Sequence, residues 1–406
     1  MTLSTIAYRA GWLIDGSGRP AARNRIITIQ AGRIQQVIDG NRECDPELTV
    51  IDLAGATVFP ALVDSHVHLA MSGSTEPNVR RDQLDGAFAD RSRVIADHLR
   101  EHLQYGVLAV RDGGDHHGHS LRYRMNPCSE SALVTVAAPG RARHAPGRYG
   151  KLIGIAVEPG MTLAQSAFDR ASSRDHLKLV NSGLNSLTQF GIESPAQFGR
   201  AELAAAVMAA RSRNLPVMVH ANGYLPVKLA VDAGCDSIEH GFFMGRENMR
   251  RMADRGVVWV PTAVTMKAYT DFLETQGHRS DPSFADVSRR NLEHQLEQIG
   301  LARQLGVTLA LGTDAGSPGV HHGHAVKAEL ALFIAAGFSV EEAVRCASRN
   351  GARLMGLRDR GEIAPGMRAD FMAVEAPPEQ LPEVLHRISL RVARGREIDL
   401  GDTGER

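Results

Sequence analysis

The pattern of hydrophobic and polar positions changes near residue 60 of the chain. Before that point, short β-rich runs alternate with turn signals such as Asp15-Gly16 and Ala31-Gly32. The runs predict these strands: Ala10–Ile14, Arg25–Gln30, Arg33–Ile38 and Thr49–Leu53. The beginning of the chain is therefore interpreted as a small β unit and not as the start of a series of alternating strands and helices.

After Pro60, short apolar runs alternate with longer helical patterns, which is typical of parallel strands joined by helices. The apolar runs are Phe59–Val63, Val107–Arg111, Ala132–Ala137, Leu177–Val180, Pro216–Val219, Ser237–Glu239, Val257–Val260 and Thr308–Leu311. The predicted helices include Arg93–Tyr105, Ala201–Arg213, Asn291–Leu305 and Val340–Leu354. Eight strands with intervening helices favour an α/β fold, a (β/α)8 TIM barrel, over an open sheet, although periodicity alone does not separate the two.

The end of the chain, from Gly361 onward, returns to turns and short strands such as Leu390–Val392. We expect this segment to join the first β unit, so that both chain ends build a small β-sandwich domain. The predicted domains are therefore residues 1–58 with 362–406 for the sandwich and residues 59–361 for the barrel.

Composition narrows the classes of function. Lysine plus arginine equals aspartate plus glutamate, 46 each, so no excess of positive charge points to nucleic acid. The cysteines lie far apart without a CxxC pair, which argues against a thiolate zinc site and a disulfide framework: Cys44, Cys128, Cys235 and Cys346. No apolar stretch approaches the length of about 18 residues needed to span a membrane, and no signal peptide is expected. We therefore expect a cytoplasmic protein.

Residues typical of metal sites stand at the ends of the predicted strands. They are His66 and His68 at the first run, Lys178 in the fourth, His220 and His240 at the fifth and sixth, and Asp314 after the eighth. The C-terminal strand ends of a barrel meet on one face, so these residues would be neighbours. With 17 histidines in the chain, any one of them alone is better explained as an ordinary core or surface residue. Their joint placement favours a site.

The spacing of His66 and His68 suits a single ion. Residues i and i+2 of a strand point the same way, so both imidazoles can reach one metal. Imidazoles with a carboxylate suit a zinc-like divalent ion. His220 and His240 would hold a second ion nearby.

Several stretches resemble the amidohydrolase superfamily, and the likeness covers nearly the whole chain. Pro60–His68 and Gly312–Asp314 resemble its opening and closing strands, and Gly361–Asp370 resembles its return to the β domain. The chain is most similar to the branch that includes prolidase-like and Xaa-Arg dipeptidases and imidazolonepropionase-related enzymes, in these stretches: Gly106–Asp112, Leu177–Gly183, Val219–Ala221 and Ile238–Gly241.

The resemblance implies a binuclear metal centre, most simply with two zinc ions. By position, His66, His68 and Asp314 bind the more buried metal, His220 and His240 bind the other, and a carboxylated Lys178 bridges them. The apolar run around Lys178 favours the neutral amine that captures carbon dioxide, whereas the alternative is a surface lysine in an ion pair. Asp314 would take a proton from the attacking hydroxide and pass it to the leaving nitrogen.

The substrate is less defined by the sequence. The predicted substrate contacts are Arg111, Tyr149, Asn181, Tyr224 and His322, with Ser317 and His321 nearby. Tyr149 follows Arg148 where relatives carry Gly-His-Gly, and Asn222 stands where they often carry tyrosine. The leading prediction is hydrolysis of the C–N amide bond of a small dipeptide or N-acyl amino acid. A urea, carbamate, lactone or ring C–N bond is the alternative.

Three points stay open at this level. A non-catalytic scaffold is the contrasting class, but it predicts missing ligands and every ligand position is filled. His116, His117 and His119 form a tract that we interpret as a loop at the barrel mouth, without an assigned role. Barrels of this size commonly form homo-oligomers, but no residue defines the number of subunits.

Overall fold

The structure is a computed structural model that describes residues 5–42, 48–126, 133–168, 173–276 and 282–400. The strands are β1 (Ile6–Leu13), β2 (Ala22–Gln30), β3 (Arg33–Asp39), β4 (Thr49–Pro60), β5 (Leu62–Val67), β6 (Val107–Asp112), β7 (Thr135–Ala137), β8 (Ala142–His144), β9 (Gly154–Ala156), β10 (Leu177–Val180), β11 (Val217–Ala221), β12 (Ser237–His240), β13 (Val258–Val260), β14 (Phe371–Val374), β15 (Ile388–Ala393) and β16 (Arg396–Glu397). Cys44 and Cys128 lie outside the described residues, and Cys235 and Cys346 are buried free thiols.

Most of the helices come between successive parallel strands in the order of the chain. They are α1 (Pro77–Asp85), α2 (Phe88–Gln104), α3 (His119–Met125), α4 (Leu163–Ala167), α5 (Arg200–Arg211), α6 (Tyr224–Ala233), α7 (Gly245–Arg255), α8 (Val264–Gln276), α9 (Pro282–Gln304), α10 (His324–Ala335), α11 (Val340–Arg345), α12 (Gly351–Leu354) and α13 (Leu381–Val384). Among the described residues, no helix is long and apolar enough to cross a membrane.

Both ends of the chain contribute to one seven-stranded sheet, ordered β16-β15-β14-β4-β1-β2-β3. β14 pairs antiparallel with β4, and β4 pairs parallel with β1. Phe371, Tyr8 and Val58 belong to the separate apolar cluster that packs on this sheet. The two chain ends therefore meet as expected, but this connectivity is a single sheet and does not by itself establish a sandwich. The domain boundaries stay a prediction.

The remaining strands form two parallel sheets. One has the order β13-β12-β11-β10-β8-β9 and the other the order β5-β6-β7. The last predicted run, Thr308–Leu311, is not a regular strand, and it meets the first sheet only through a bridge between Trp259 and Leu309. A second bridge joins Ala315 to Val67 of the other sheet. The fold is thus mixed α/β with parallel sheets, and the described strands do not pair into one closed barrel.

The first apolar run of the sequence divides between two sheets. Phe59 and Pro60 end β4, where they pair with Met372 and Phe371 of the terminal sheet. Leu62 then begins β5. The single predicted strand over Phe59–Val63 was wrong because an apolar run does not reveal where the chain changes its pairing partner. Ala132, the start of the third predicted run, lies outside the described residues.

The predicted helix over Val340–Leu354 has a defined start and an interruption. The Ser339 hydroxyl accepts from the backbone N–H of Glu342 at 3.2 Å, and the Glu342 carboxylate accepts from the N–H of Ser339 at 2.9 Å. This reciprocal capping box confirms the predicted start. A π-helical turn over Cys346–Asn350 separates α11 from α12.

The parallel strands form the centre of the molecule. Every residue of β5, β6, β10, β11 and β12 is buried, as expected for strands covered on both faces. A polar side chain in such a strand needs a specific partner, because its desolvation is otherwise unfavourable. The polar residues of these strands therefore indicate where the chemistry is located.

Candidate active site

His66, His68 and Asp314 lie together at one end of the parallel strands. Their candidate ligand atoms all lie within 4.8 Å of one another. Oδ1 of Asp314 is 3.4 Å from Nε2 of His66 and 3.2 Å from Nε2 of His68. Three donors of this kind around one point are the arrangement that a divalent ion requires. Among the described residues, no second group of three such side chains is this compact.

Hydrogen bonds to the far side of each imidazole determine which nitrogen faces the site. Nδ1 of His66 donates to the Glu239 carboxylate at 2.7 Å, and Nδ1 of His68 donates to the Gly114 carbonyl at 2.8 Å. When each ring is neutral, its Nε2 lone pair is left free to bind a metal. This is the tautomer that a shared ion between His66, His68 and Asp314 needs.

Glu239 is itself held by a buried arginine. The Arg111 guanidinium contacts Oε1 of Glu239 at 2.6 Å and the Ser65 carbonyl at 3.0 Å. Ser237 donates a further hydrogen bond to the same carboxylate oxygen. Arg111, Glu239 and His66 thus form a continuous buried chain that orients the imidazole.

The backbone approaches the two imidazoles closely at Gly113. A Cβ at this position would lie 2.5 Å from Cε1 of His68 and 3.0 Å from Nε2 of His66. Only glycine fits beside both rings. His240 and Asp314 adopt positive φ angles of 66° and 57°, which are uncommon for residues with a side chain. Such strain often occurs at functional sites.

Lys178, His220 and His240 form the other half of the site. The rings of His220 and His240 have centroids 4.5 Å apart, and the rings of His240 and His66 are 5.0 Å apart. Nε2 of His220 donates to the Gly183 carbonyl at 3.1 Å, which leaves Nδ1 free in the neutral ring. Nδ1 of His240 lies 2.7 Å from the Thr262 hydroxyl.

Burial controls the charges of this half of the site. Burial lowers the pKa of Lys178 to about 8, despite the opposing attraction of Glu239. Burial, with the nearby charge of Lys178, lowers the pKa of His220 to about 4. Burial and the charge of His220 lower the pKa of His240 to about 3. Both histidines are therefore neutral at pH 7, as metal ligands must be.

The first half of the site has a different charge balance. Burial alone would raise the pKa of Asp314, but the hydrogen bond from His68 and the neighbouring histidines lower it well below its usual range. Burial opposes protonation of His68, yet the contact with Asp314 raises the pKa of that imidazole. Burial and the charge of Lys178 lower the pKa of His66. Asp314 is thus a stable anion in this half.

A cavity of about 570 Å³ lies in front of these side chains. All six residues predicted for the metal site line it, as do Tyr149 and Ser317. The ring of Tyr149 lies 5.2 Å from that of His220, and burial raises the pKa of its phenol. The cavity is where a substrate would meet both halves of the site.

Four of the predicted substrate residues do not line this cavity. The Arg111 side chain points into the buried chain with Glu239. The Asn181 amide donates a hydrogen bond to the Pro226 carbonyl and accepts one from the Phe198 N–H. The Tyr224 hydroxyl donates to Glu247 at the surface. His322 donates to the Met71 carbonyl and stacks on His98 at 3.9 Å. Strand-end position does not tell where a long side chain points, and a role of these four residues in substrate binding stays a prediction.

The histidine tract at 116–119 has local structural contacts. His116 donates to the carbonyls of Lys151 and Gly154, and Nε2 of His117 donates to the Leu84 carbonyl. The His119 ring stacks on that of His117 at 5.1 Å. None of these three histidines lines the cavity.

Strand-end reasoning missed several side chains that contact the candidate site or line its cavity. Glu239 stands directly before His240, and a carboxylate inside an apolar run was a signal that could have identified it. The other missed residues line the cavity from loops and helices, where no strand pattern applies: Arg80, Asn185, Met266, Tyr269 and Phe272.

The residues present fit a metal ion. Nε2 of His66 and Nζ of Lys178 are buried, and neither has a hydrogen-bond partner among the described residues. Such atoms are unfavourable unless something binds them. Imidazole nitrogen with carboxylate oxygen is a donor set that zinc accepts. The assignment of each ligand stays a prediction.

Comparison with known proteins identifies the family. Residues 57–391 match the model of the amidohydrolase family. The chain belongs to this family. This confirms the resemblance of the opening and closing strands, and it makes the protein a hydrolase that acts on carbon–nitrogen bonds.

Individual relatives of this amidohydrolase are distant but cover most of its length. An uncharacterised protein of Mycobacterium tuberculosis is 27% identical over 364 residues, covering 89% of this chain and 90% of the relative. An imidazolonepropionase of Deinococcus deserti is 26% identical over 378 residues, covering 83% and 82%. The crystal structure of a Xaa-Pro dipeptidase with bound methionine superposes with a TM-score of 0.80 at 25% identity, covering 98% of this chain and 100% of that one.

Proposed function

We propose that this protein is a binuclear metal-dependent amidohydrolase that cleaves the C–N amide bond of a small dipeptide or N-acyl amino acid. The observation that most supports this is the group of His66, His68 and Asp314, whose ligand atoms lie within 4.8 Å of one another on the cavity wall. The similarity to a Xaa-Pro dipeptidase structure agrees with a small amide substrate.

The proposed metal ligands divide between two zinc ions. His66, His68 and Asp314 would hold the first ion, and His220 with His240 would hold the second. Lys178 would bridge the two as a carbamate. With a pKa of about 8, part of Lys178 is neutral near pH 7, and its Nζ can attack carbon dioxide, lose a proton and form the N–C bond. The product is an anion with two oxygens in place of a buried cation.

The chemistry then depends on a positioned base. Bound divalent ions lower the pKa of a coordinated water and polarise a carbonyl group. Asp314 would accept the proton released as the water attacks the amide carbon and deliver it to the leaving nitrogen. Its side chain is only 13% exposed, so bulk water competes little for that proton.

The fold that we propose for this enzyme includes more strand pairing than the structure shows. We propose a closed (β/α)8 barrel over residues 59–361 and a β-sandwich from residues 1–58 and 362–406. The bridge at Leu309, inside the last run, and the bridge at Ala315, just beyond it, support closure. The seven-stranded sheet, which is built from both chain ends, supports the proposed β-sandwich.

Elemental analysis with a substrate panel tests the proposal. We expect about two zinc-like ions per chain and cleavage of dipeptides or N-acyl amino acids.

Asp314→Asn should lower turnover by about 10²–10⁴-fold, since it removes the base. Metal content of the variant, measured alongside, separates a lost base from a lost ligand. Protein prepared with metal present that still holds little metal would contradict the proposal. If the protein holds two ions but cleaves only ureas, carbamates or lactones, one of these compounds replaces the amide as the proposed substrate.

A further inference from the structure

The cavity wall has one arginine whose role the proposed chemistry does not explain. Among the described residues that line the cavity, Arg80 and Lys178 are the two with lysine or arginine side chains. Lys178 lies inside the candidate metal site. Arg80 lies in α1 and is half-buried.

Arg80 is held by neutral groups. Its Nη1 donates to the carbonyls of Ser72, Ser74 and Gly316, each at 3.3 Å. No carboxylate of the described residues lies within ion-pair distance of it, and none of their acceptors takes a hydrogen bond from its Nε or Nη2. A guanidinium is charged at all ordinary pH values and has five N–H donors in a planar fork. Arg80 therefore has donors available for a bidentate contact with an anion.

The position of Arg80 relates it to the candidate metal site. The Gly316 carbonyl that it contacts is two residues beyond Asp314. Gly316 also packs on His68, because a Cβ there would lie 2.7 Å from the His68 carbonyl oxygen. The guanidinium thus lies on the wall next to the His68 and Asp314 side of the site. The guanidinium and the candidate metal site therefore border the same cavity.

The rest of the cavity wall is largely apolar. Among the side chains that line it, those of Met71, Ile153, Phe242 and Met266 are buried. At its mouth, Leu152, Leu184 and Phe272 are 42%, 53% and 40% exposed. Large apolar side chains left open to water in one place usually mark a binding surface. This wall fits a bulky apolar substituent.

The arginines considered from the sequence do not fill this role. The Arg111 guanidinium is engaged with Glu239, and Arg148 does not line the cavity. Asp314 is the one carboxylate among the described lining residues. Apart from the proposed metal ligands, the described lining residues therefore offer no anion to compensate the desolvation of a free ammonium group on the substrate.

We infer that Arg80 binds the carboxylate of the substrate, and that the site takes N-acyl amino acids with a bulky apolar acyl group in preference to free dipeptides. This inference rests on the proposed amide hydrolysis. The acyl group packs along the apolar wall, the amide lies at Asp314, and the amino-acid carboxylate pairs with Arg80.

A matched set of substrates tests this specificity with the metal-loaded full-length enzyme. The set comprises an N-aromatic-acyl amino acid, its carboxamide, its N-acetyl analogue and a free dipeptide with the same C-terminal residue. We expect kcat/KM for the acid to exceed that for the carboxamide by about 10- to 100-fold, the effect of one charge-assisted hydrogen-bonded pair. The bulky acyl compound should also exceed the N-acetyl compound and the dipeptide.

Variants of Arg80 attribute the preference to this residue. Arg80→Gln should raise KM for the acid by about 10- to 100-fold, change kcat less, and leave the carboxamide unaffected. Arg80→Lys should recover part of the loss, because it keeps the charge but not the planar fork. Arg81→Gln is the control, since Arg81 lies in the same helix, is exposed and does not line the cavity. Melting temperature and metal content should match those of the parent enzyme in all variants.

Each other result has a separate meaning. Cleavage of acid and carboxamide at equal rates, or an unchanged preference in Arg80→Gln, overturns the role of Arg80 and leaves amide hydrolysis standing. Faster cleavage of the free dipeptide overturns the assignment of the apolar wall. If no member of the set is cleaved by the metal-loaded enzyme, the proposed amide hydrolysis and the inference both fail.

Discussion

The two halves of the candidate site differ in where their negative charge comes from. In the half formed by His66, His68 and Asp314, the carboxylate lies within 3.4 Å of both imidazoles. In the half formed by Lys178, His220 and His240, no described carboxylate completes such a group. The first half can bind a divalent ion with its own side chains, whereas the second has a lysine where an anion is needed.

A second buried carboxyl shows that burial alone does not produce an anion. Glu329 accepts from the backbone N–H groups of Ala263 and Val264 at 3.0 and 2.7 Å, next to Thr262, which contacts His240. Burial raises the pKa of Glu329 to about 8, whereas the histidines around Asp314 lower its pKa. The neighbouring groups therefore decide the direction of the shift: histidines surround Asp314, whereas two backbone N–H groups face Glu329.

Replacing Lys178 tests this comparison most directly. Lys178→Ala should lower bound metal and reduce turnover by more than about 100-fold, since loss of a bridging ligand exceeds a typical outer-shell effect. Added short carboxylic acids should restore part of both, because they supply the missing anion. Metal content and kcat are the measurements, with exposed Lys151→Ala as the control. Normal metal content in Lys178→Ala would show that the second half needs no bridging anion.

The second prediction concerns Glu239→Gln, which weakens the hydrogen-bonded chain that orients His66 in the first half of the site. The amide is neutral, so His66 loses its charged acceptor and Arg111 keeps an uncompensated buried charge. We expect metal affinity to fall by about 10- to 100-fold. Competition with a chelator measures this affinity, and Glu247→Gln on the surface is the control. Unchanged affinity would mean that the imidazole is oriented without the carboxylate.

Glu329→Gln gives the smallest expected effect and a change with pH. Glutamate in the unfolded chain titrates near pH 4.5, whereas the folded pKa is about 8. Between these values the unfolded chain has lost the proton and the folded protein keeps it, so stability falls as pH rises. The variant should lack this slope, which is at most about 1.4 kcal/mol per pH unit.

Urea denaturation between pH 5 and about 8 measures that slope. At the acid end, Glu329→Gln should be less stable by about 1–3 kcal/mol, because its amide satisfies only one of the two N–H groups. Exposed Glu379→Gln should follow the parent curve. Parallel curves for Glu329→Gln and the parent would indicate that Glu329 is ionised in the folded protein.

Much of the site could be predicted because polar residues interrupt buried apolar strands. His66 and His68 are separated by two positions and so share one side of the chain, and Asp314 follows the last run. Arg80 escaped this reasoning, since it comes from a helix with no strand pattern. The contact of Arg111 with Glu239 also escaped it, because the two residues are 128 positions apart in the sequence.

Local patterns in the chain were enough to predict three features: the alternation of strands and helices, the meeting of the two chain ends, and the six candidate metal-site residues that line the cavity. These features follow from local periodicity and from the direction of parallel strands. Three other features became visible in the folded chain alone: which imidazole nitrogen is free, which arginine supports His66 and which arginine lines the cavity. Those choices depend on contacts between distant segments, and side-chain direction over several rotatable bonds is not encoded in local spacing.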